Sequence, residues 1–137
     1  MRIMSLDFGT KRIGVAVSDE LLITAQGLGT IERASADKDM EKIALLASEH
    51  GVSEIVVGLP VNMNGTHSQK TAEALKFVEG LSKAVAVPVK TWDERLTTVQ
   101  AERAMLQADM SRAKRRRLAD KIAAQLILQS YLDSRKR

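Results

Sequence analysis

The sequence predicts an α/β domain: a mixed five-stranded sheet with helices on both faces. Three observations carry that reading. Apolar residues near the N-terminus alternate with period two, the spacing switches to that of helices after residue 35, and strand and helix patterns alternate from there on. In the first strand Ile3, Ser5 and Asp7 share one face and Met4 and Leu6 the other, and Gly9-Thr10 then turns the chain. Arg12 to Ser18 places Ile13, Val15 and Val17 on one face, as an antiparallel partner would. A weaker third strand covers Gly27 to Glu32, completing a meander.

Ser35 and Asp37 signal the start of an amphipathic helix carrying Met40, Ile43, Ala44 and Ala47, and Gly51 stops it. Glu54 to Gly58 reads as a short buried strand ending in Leu59-Pro60, followed by a turn-rich loop, Val61 to Thr66. A second helix, His67 to Ala84, presents Ala72, Leu75, Val78 and Leu81 at helical spacing. Val85 to Trp92 reads as the fifth strand, where Pro88 marks an edge position or a strand start. Thr97 caps a third helix containing Val99, Met105 and Leu106, and Ser111 caps a last one reaching about Leu132. The order βββ-α-β-α-β-α-α, antiparallel strands followed by parallel crossovers, is that of the ribonuclease H-like fold.

At 137 residues the chain has the size of one domain, spanning residues 1–137. It contains no cysteine, which excludes disulfides, thiolate metal sites and a cysteine nucleophile. That absence, and the lack of a signal-peptide pattern, leads to the expectation of a cytoplasmic protein. The longest apolar run, Ala84 to Val89, is far too short to span a bilayer, so no membrane partner is expected. The formal net charge of +4 is unevenly placed. Residues 112–137 hold nine Lys/Arg and two Asp, a local +7, while the rest of the chain is acidic. Such a segment suits a polyanion, and an aromatic content of only 3% favours phosphate contact over base stacking.

Three carboxylates stand where chemistry would want them. Asp7 ends the first strand, Glu94 follows the fifth beside Asp93, and Asp120 lies on the last helix. Asp120 is in line with Ala113, Arg116, Ala124, Ile127 and Tyr131, a line that is apolar towards its C-terminal half. A carboxylate facing packed residues is costly unless something cationic holds it. If the two strand ends are neighbours under that helix, the three acids converge and repel, and a hard divalent cation, Mg²⁺ or Mn²⁺, resolves the conflict. Two such ions about 4 Å apart would activate water and stabilise the leaving oxygen of a phosphodiester. Each acid also has an ordinary reading. Asp7 fits a turn aspartate, Asp120 an ion pair with Arg116, and Asp93 or Glu94 a loop or helix cap.

The run Asp7-Phe8-Gly9-Thr10-Lys11-Arg12-Ile13-Gly14-Val15-Ala16 resembles the opening signature of the YqgF family of Holliday-junction-resolvase-like proteins. So, in order, do Val57-Gly58-Leu59-Pro60, Asn62-Met63-Asn64-Gly65-Thr66, Asp93-Glu94-Arg95-Leu96-Thr97-Thr98, Asp120-Lys121-Ile122-Ala123-Ala124 and Ile127-Leu128-Gln129-Ser130-Tyr131-Leu132. The resemblance implies a ribonuclease H-like fold and a metal-dependent nuclease that matures the 5′ end of precursor 16S ribosomal RNA. It makes Asp7, Glu94 and Asp120 the expected metal ligands. Asn64 stands where the family commonly has Asp, and Asn-Gly keeps the same turn.

Around that site Thr10, Lys11 and Arg12 are candidates for phosphate contact in a tight turn, as are Arg95 and the basic helix residues Lys114, Arg115 and Arg117. A solvated turn, a neutralising partner for the neighbouring acid and a solvated helix face are the respective ordinary readings. The tail Arg135-Lys136-Arg137 reads as a mobile source of nonspecific affinity. Three functions fit the whole pattern. One is a phosphodiesterase acting on structured nucleic acid, either precursor rRNA or a four-way DNA junction. Another is an actin-like ATPase or sugar kinase, whose phosphate loop also has an Asp-x-Gly-Thr element but which needs two such domains. The third is a nucleic-acid-binding factor without catalysis.

Overall fold

The computed structural model of the chain describes residues 1–62, 64–95 and 112–135, with side chains in the last helix from residue 122 onward. Its elements are β1 (Arg2–Phe8), β2 (Arg12–Ser18), β3 (Ala25–Glu32), α1 (Ala36–Glu49), β4 (Val52–Leu59), α2 (Gln69–Ala84), β5 (Val89–Asp93) and α3 (Arg112–Arg135). The helix expected from Thr97 and the cap expected at Ser111 lie outside the described residues.

The five strands lie in the order β3-β2-β1-β4-β5. β1 and β3 flank β2 antiparallel, while β1, β4 and β5 run parallel, so the sheet is mixed as the sequence predicts. β1 and β4 hold its centre, which is why Ile3–Leu6 and Ile55–Gly58 are buried without a break: both faces of a central parallel strand are covered. The fifth strand begins at Val89 rather than at Val85, the position read from the sequence, so its start falls just after Pro88. The proline immediately precedes β5, an edge strand, and its carbonyl accepts a bond from Ile55 N at 2.9 Å.

Pleating sends alternate residues of each central strand to opposite cores. Met4, Leu6, Ile13, Val15, Ile55 and Val57 face α1 and α2, from which Ile43, Ala47, Phe77 and Leu81 are buried. Ile3, Ala16 and Val56 face α3, which buries Ala124, Ile127, Leu128, Tyr131 and Leu132. Ser5 sits in that second layer and donates its hydroxyl to the Ala124 carbonyl at 2.6 Å, fixing α3 over β1. Gln125 and Gln129 bond the backbone of Ala25 at 3.1 and 3.0 Å and hold the helix to β3 as well.

Three further local expectations need correction. The stripe Ala72, Leu75, Val78 and Leu81 is rotated by one residue: α2 buries Thr71, Ala74, Phe77 and Leu81, and Leu75 is 39% exposed. Two contacts set the rotation. The Thr71 hydroxyl donates to the Pro60 carbonyl, and Phe77 stacks on Phe8 with ring centroids 4.3 Å apart. β3 and β4 each begin two residues before the positions read from the sequence, because Ala25 already pairs with Ser18 and Val52 with Arg2. Arg135 is not part of a mobile tail. It is the last residue of α3 and donates to Glu54 Oε2 at 3.2 Å; Lys136 and Arg137 lie outside the described residues.

Candidate active site

Asp7 is the penultimate residue of β1, on the face shared with Ile3 and Ser5, and therefore on the side covered by α3. Its neighbour Phe8 points the other way into the stack with Phe77. The turn that follows is closed by Gly9 N donating to the Arg12 carbonyl at 2.9 Å. Arg33, from the far end of β3, reaches back over it. Its guanidinium donates to the carbonyls of Gly9 and Thr10 at 3.1 and 3.0 Å and lies 4.3 Å from the Phe8 ring. Those two bonds brace the turn that carries Thr10 and Lys11. Arg12 lies at the start of β2, 3.9 Å from the Glu32 carboxylate of the paired strand.

Glu94 is the first residue after β5, and its backbone N–H donates to the Leu59 carbonyl at 3.1 Å, extending the β4–β5 ladder by one step. Gly58 is what makes room for its side chain. A Cβ at position 58 would stand 2.7 Å from Glu94 Oε1 and 2.4 Å from Ile127 Cδ1. Gly58 is also the residue paired with Asp7 across the parallel ladder. The register and a missing methyl group together bring Glu94 against Asp7, though the two are far apart in sequence.

Electrostatics follow from that contact. Burial, then a hydrogen bond with the Asp7 carboxyl, then the charges of Asp7 and Asp93 push the Glu94 carboxyl up to about 9. Two carboxyls that hydrogen-bond share a proton, so at neutral pH and without a cation the pair keeps one. Asp93 behaves in the opposite way. Arg95 donates from its backbone N–H at 2.9 Å and from Nε at 2.8 Å, and the guanidinium holds the Asp93 carboxyl below the usual range. Of the two adjacent acids, Glu94 faces Asp7 and Asp93 is bound to Arg95.

Asp120 lies on the helical backbone of α3 one turn before Ala124, the residue that takes the Ser5 hydroxyl. Its side chain, and those of Lys114, Arg115 and Arg117, lie outside the described residues. Among the described residues no group of three metal-ligating side chains is present. The donor set that is present is all oxygen, and one member carries a proton that a cation would displace. That chemistry fits a hard divalent ion.

Asp7 and Glu94 line a cleft of about 160 Å³ at the end of the sheet, together with Thr10, Pro60, Lys70 and Glu73. Sequence reasoning missed Lys70, Glu73, Arg33 and Gly58. Lys70 and Glu73 belong to a helix read only for its apolar stripe, and nothing local ties them to Asp7. The loop preceding that helix is as expected. Gly65 takes φ +87°, and Asn64 Oδ1 accepts from the Thr66 amide at 3.1 Å and its hydroxyl at 2.6 Å. Asn64 thus accepts both bonds that an Asp in its place would.

Residues 1–134 match the family model described as RuvX, Holliday junction resolvase. The chain belongs to the RuvX family. This is the YqgF family of the sequence resemblance. A relative from Thermoanaerobacter pseudethanolicus is 54% identical over 99% of both chains, and one from Desulforamulus reducens is 53% identical over 98% of both. Both carry the name "Putative pre-16S rRNA nuclease". Among solved structures, RuvC of T. thermophilus in complex with a Holliday junction substrate superposes with a TM-score of 0.61, covering 99% of this chain and 96% of that one at 16% identity. The RuvX chain therefore has the ribonuclease H-like fold expected from its element order.

Proposed function

We propose that this RuvX chain is a divalent-metal-dependent nuclease that hydrolyses phosphodiester bonds in structured RNA, its substrate being the 5′ end of precursor 16S rRNA. The observation that carries the reading is the Asp7–Glu94 pair, two carboxyls brought into one cleft at the end of the sheet by the β1–β4 register and the space left at Gly58. A fold keeps so unfavourable a contact where a cation is meant to enter. Asp7 and Glu94, joined by Asp120 from α3, would hold Mg²⁺ or Mn²⁺. Held there, such an ion would supply Lewis-acid activation of water and charge stabilisation on the phosphodiester. The chain's own part is to position. Gly58 leaves space for Glu94, Ser5 fixes α3 over the site, and Arg33 holds the Gly9-Thr10 turn beside the reacting group.

The size of the cleft argues for a polymer. Pockets that engulf small ligands usually run to about 300–1,000 Å³. Among the described residues the cleft measures about 160 Å³, room for one backbone group of a larger molecule. Relatives near half identity over the full length name an RNA substrate, whereas the DNA junction comes with a structure at 16% identity and with the family description. RNA is therefore the first choice and a four-way DNA junction the second. The absence of cysteine suits a cytoplasmic site of action.

The test incubates purified protein with precursor 16S rRNA, a four-way DNA junction and ATP, in Mn²⁺, Mg²⁺ or chelator. The expected result is metal-dependent cleavage of the RNA leaving a 5′-phosphate. Asp7→Asn and Asp120→Asn should each lower the rate about 1,000-fold, equivalent to about 4 kcal/mol of transition-state stabilisation. Undiminished cleavage in both variants refutes the site, and preferential cleavage of the junction exchanges the substrates.

A further inference from the structure

We infer that Lys70 is a substrate-binding residue that seats a backbone phosphate neighbouring the one cleaved. This deepens the nuclease reading and rests on it. Lys70 is the only basic side chain among the described residues lining the cleft that holds Asp7 and Glu94. Two of the other cations near the site are engaged elsewhere. Arg33 is spent on the Gly9 and Thr10 carbonyls and Arg95 on Asp93, whereas among the described residues Lys70 makes no ion pair and is exposed.

Its position is fixed and electrostatically against the grain. Ser68 caps α2, its Oγ accepting from Thr71 N at 3.3 Å, while Ser68 N donates to the Thr71 hydroxyl at 3.0 Å. The same hydroxyl is anchored to Pro60, so the first turn of α2 is pinned to the end of β4. Lys70 is the second residue of that turn, where the helix dipole disfavours a cation. The contrast with α1 is direct. The first turn of α1 carries Asp37 and Asp39, and the first turn of α2 carries no acid. The cleft is lined by the carboxyls of Asp7, Glu94 and Glu73, and among the described residues Lys70 is ion-paired with none of them, so its ammonium group stays available to an anionic visitor. α2 and α3 lie on opposite faces of the sheet, so the substrate backbone would cross the sheet's end from the α3 side to the α2 side.

Two measurements test this. Binding of a short single-stranded RNA is followed in chelator as a function of salt, and cleavage is followed in Mn²⁺, for wild type, Lys70→Ala and Lys70→Arg. Lys70→Ala should weaken binding several-fold and flatten the log–log salt dependence by about 0.7, the loss of one phosphate contact to a single strand. KM should rise by the same factor with kcat within about twofold, and Lys70→Arg should restore both. A salt slope and KM unchanged in Lys70→Ala, with wild type still cleaving, overturns the inference and leaves the nuclease reading standing. A flattened slope in a protein that cleaves nothing supports the seat at Lys70 while the nuclease reading falls.

Discussion

Glu54 and Glu94 sit at opposite ends of the same sheet, and the fold treats them in opposite ways. At one end burial would raise Glu54, yet the Tyr131 hydroxyl at 2.6 Å, Lys90 at 3.1 Å and Arg135 at 3.2 Å outweigh it and hold the carboxyl below its ordinary value. At the other end burial also raises Glu94, and its neighbours Asp7 and Asp93 add to the penalty rather than relieving it. One acid closes a structural clasp for the end of α3. The other is set in a conflict that, among the described residues, Asp7 and Asp93 deepen. A fold that can surround a carboxylate with two cations and a phenol at one end has the means to do so at the other. The contrast is why the Asp7–Glu94 end reads as the place for a ligand and the Glu54 end does not.

Among the changes that probe the two ends against each other, the largest effect is expected where the unfavourable contact is crowded. Gly58→Ala inserts a methyl group 2.4 Å from Ile127 Cδ1 and 2.7 Å from Glu94 Oε1, so one of them must move. Overpacking of this kind costs about 1–3 kcal/mol, visible in thermal melts, and displacement of Glu94 should lower cleavage about 100-fold. Full activity in a folded Gly58→Ala protein removes Glu94 from the site.

A pH comparison sharpens the contrast through its sign. In chelator, the fold favours protonated Glu94, whose value of about 9 lies above the ordinary 4.5. Its contribution is complete below about pH 4.5 and is lost as pH rises through about 9. Glu94→Gln, neutral throughout, should match wild type at pH 4 and be the more stable protein at pH 9, as read from thermal melts at the two pH values. Added Mn²⁺ should raise the wild-type Tm and leave Glu94→Gln nearly unmoved. Glu54→Gln should do the reverse. The Glu54 value is lowered, so its stabilisation is present above about pH 4.5 and fades as pH falls through the lowered value, leaving the variant the less stable protein at neutral pH. Parallel pH curves for the two variants would erase the distinction between the two ends.

The smallest effect isolates the clasp. Tyr131→Phe removes one hydrogen bond while Lys90 and Arg135 remain on Glu54, and should cost about 1 kcal/mol in denaturant titrations with cleavage unchanged. A loss of activity there would show that the two ends are coupled through α3.

Much of this was legible in the chain itself. Alternation in residues 3–7 and 12–18 identifies two strands and their faces, because period two leaves one side of each for each core. The same alternation puts Asp7 with Ile3 and Ser5, and the structure covers that face with α3. The turn at Asn64-Gly65 and the stop at Gly51 are legible for a similar reason: only a few residues accept positive φ, and both glycines take it. The phase of α2 was not legible. Ala72 and Leu75 are as apolar as Ala74 and Phe77, and the choice fell to Phe8 and Pro60, which lie outside the helix.

Composition and order alone determined the α/β class, the mixed sheet and the candidate acids, since these depend on local periodicity and residue type. Only the folded chain decided that Glu94 rather than Asp93 meets Asp7, that Gly58 stands between them and that Lys70 overlooks the cleft. Those facts depend on register between strands and on where a helix from the opposite face begins. Distances of that kind are set by packing across the whole sheet and have no local signature in the sequence.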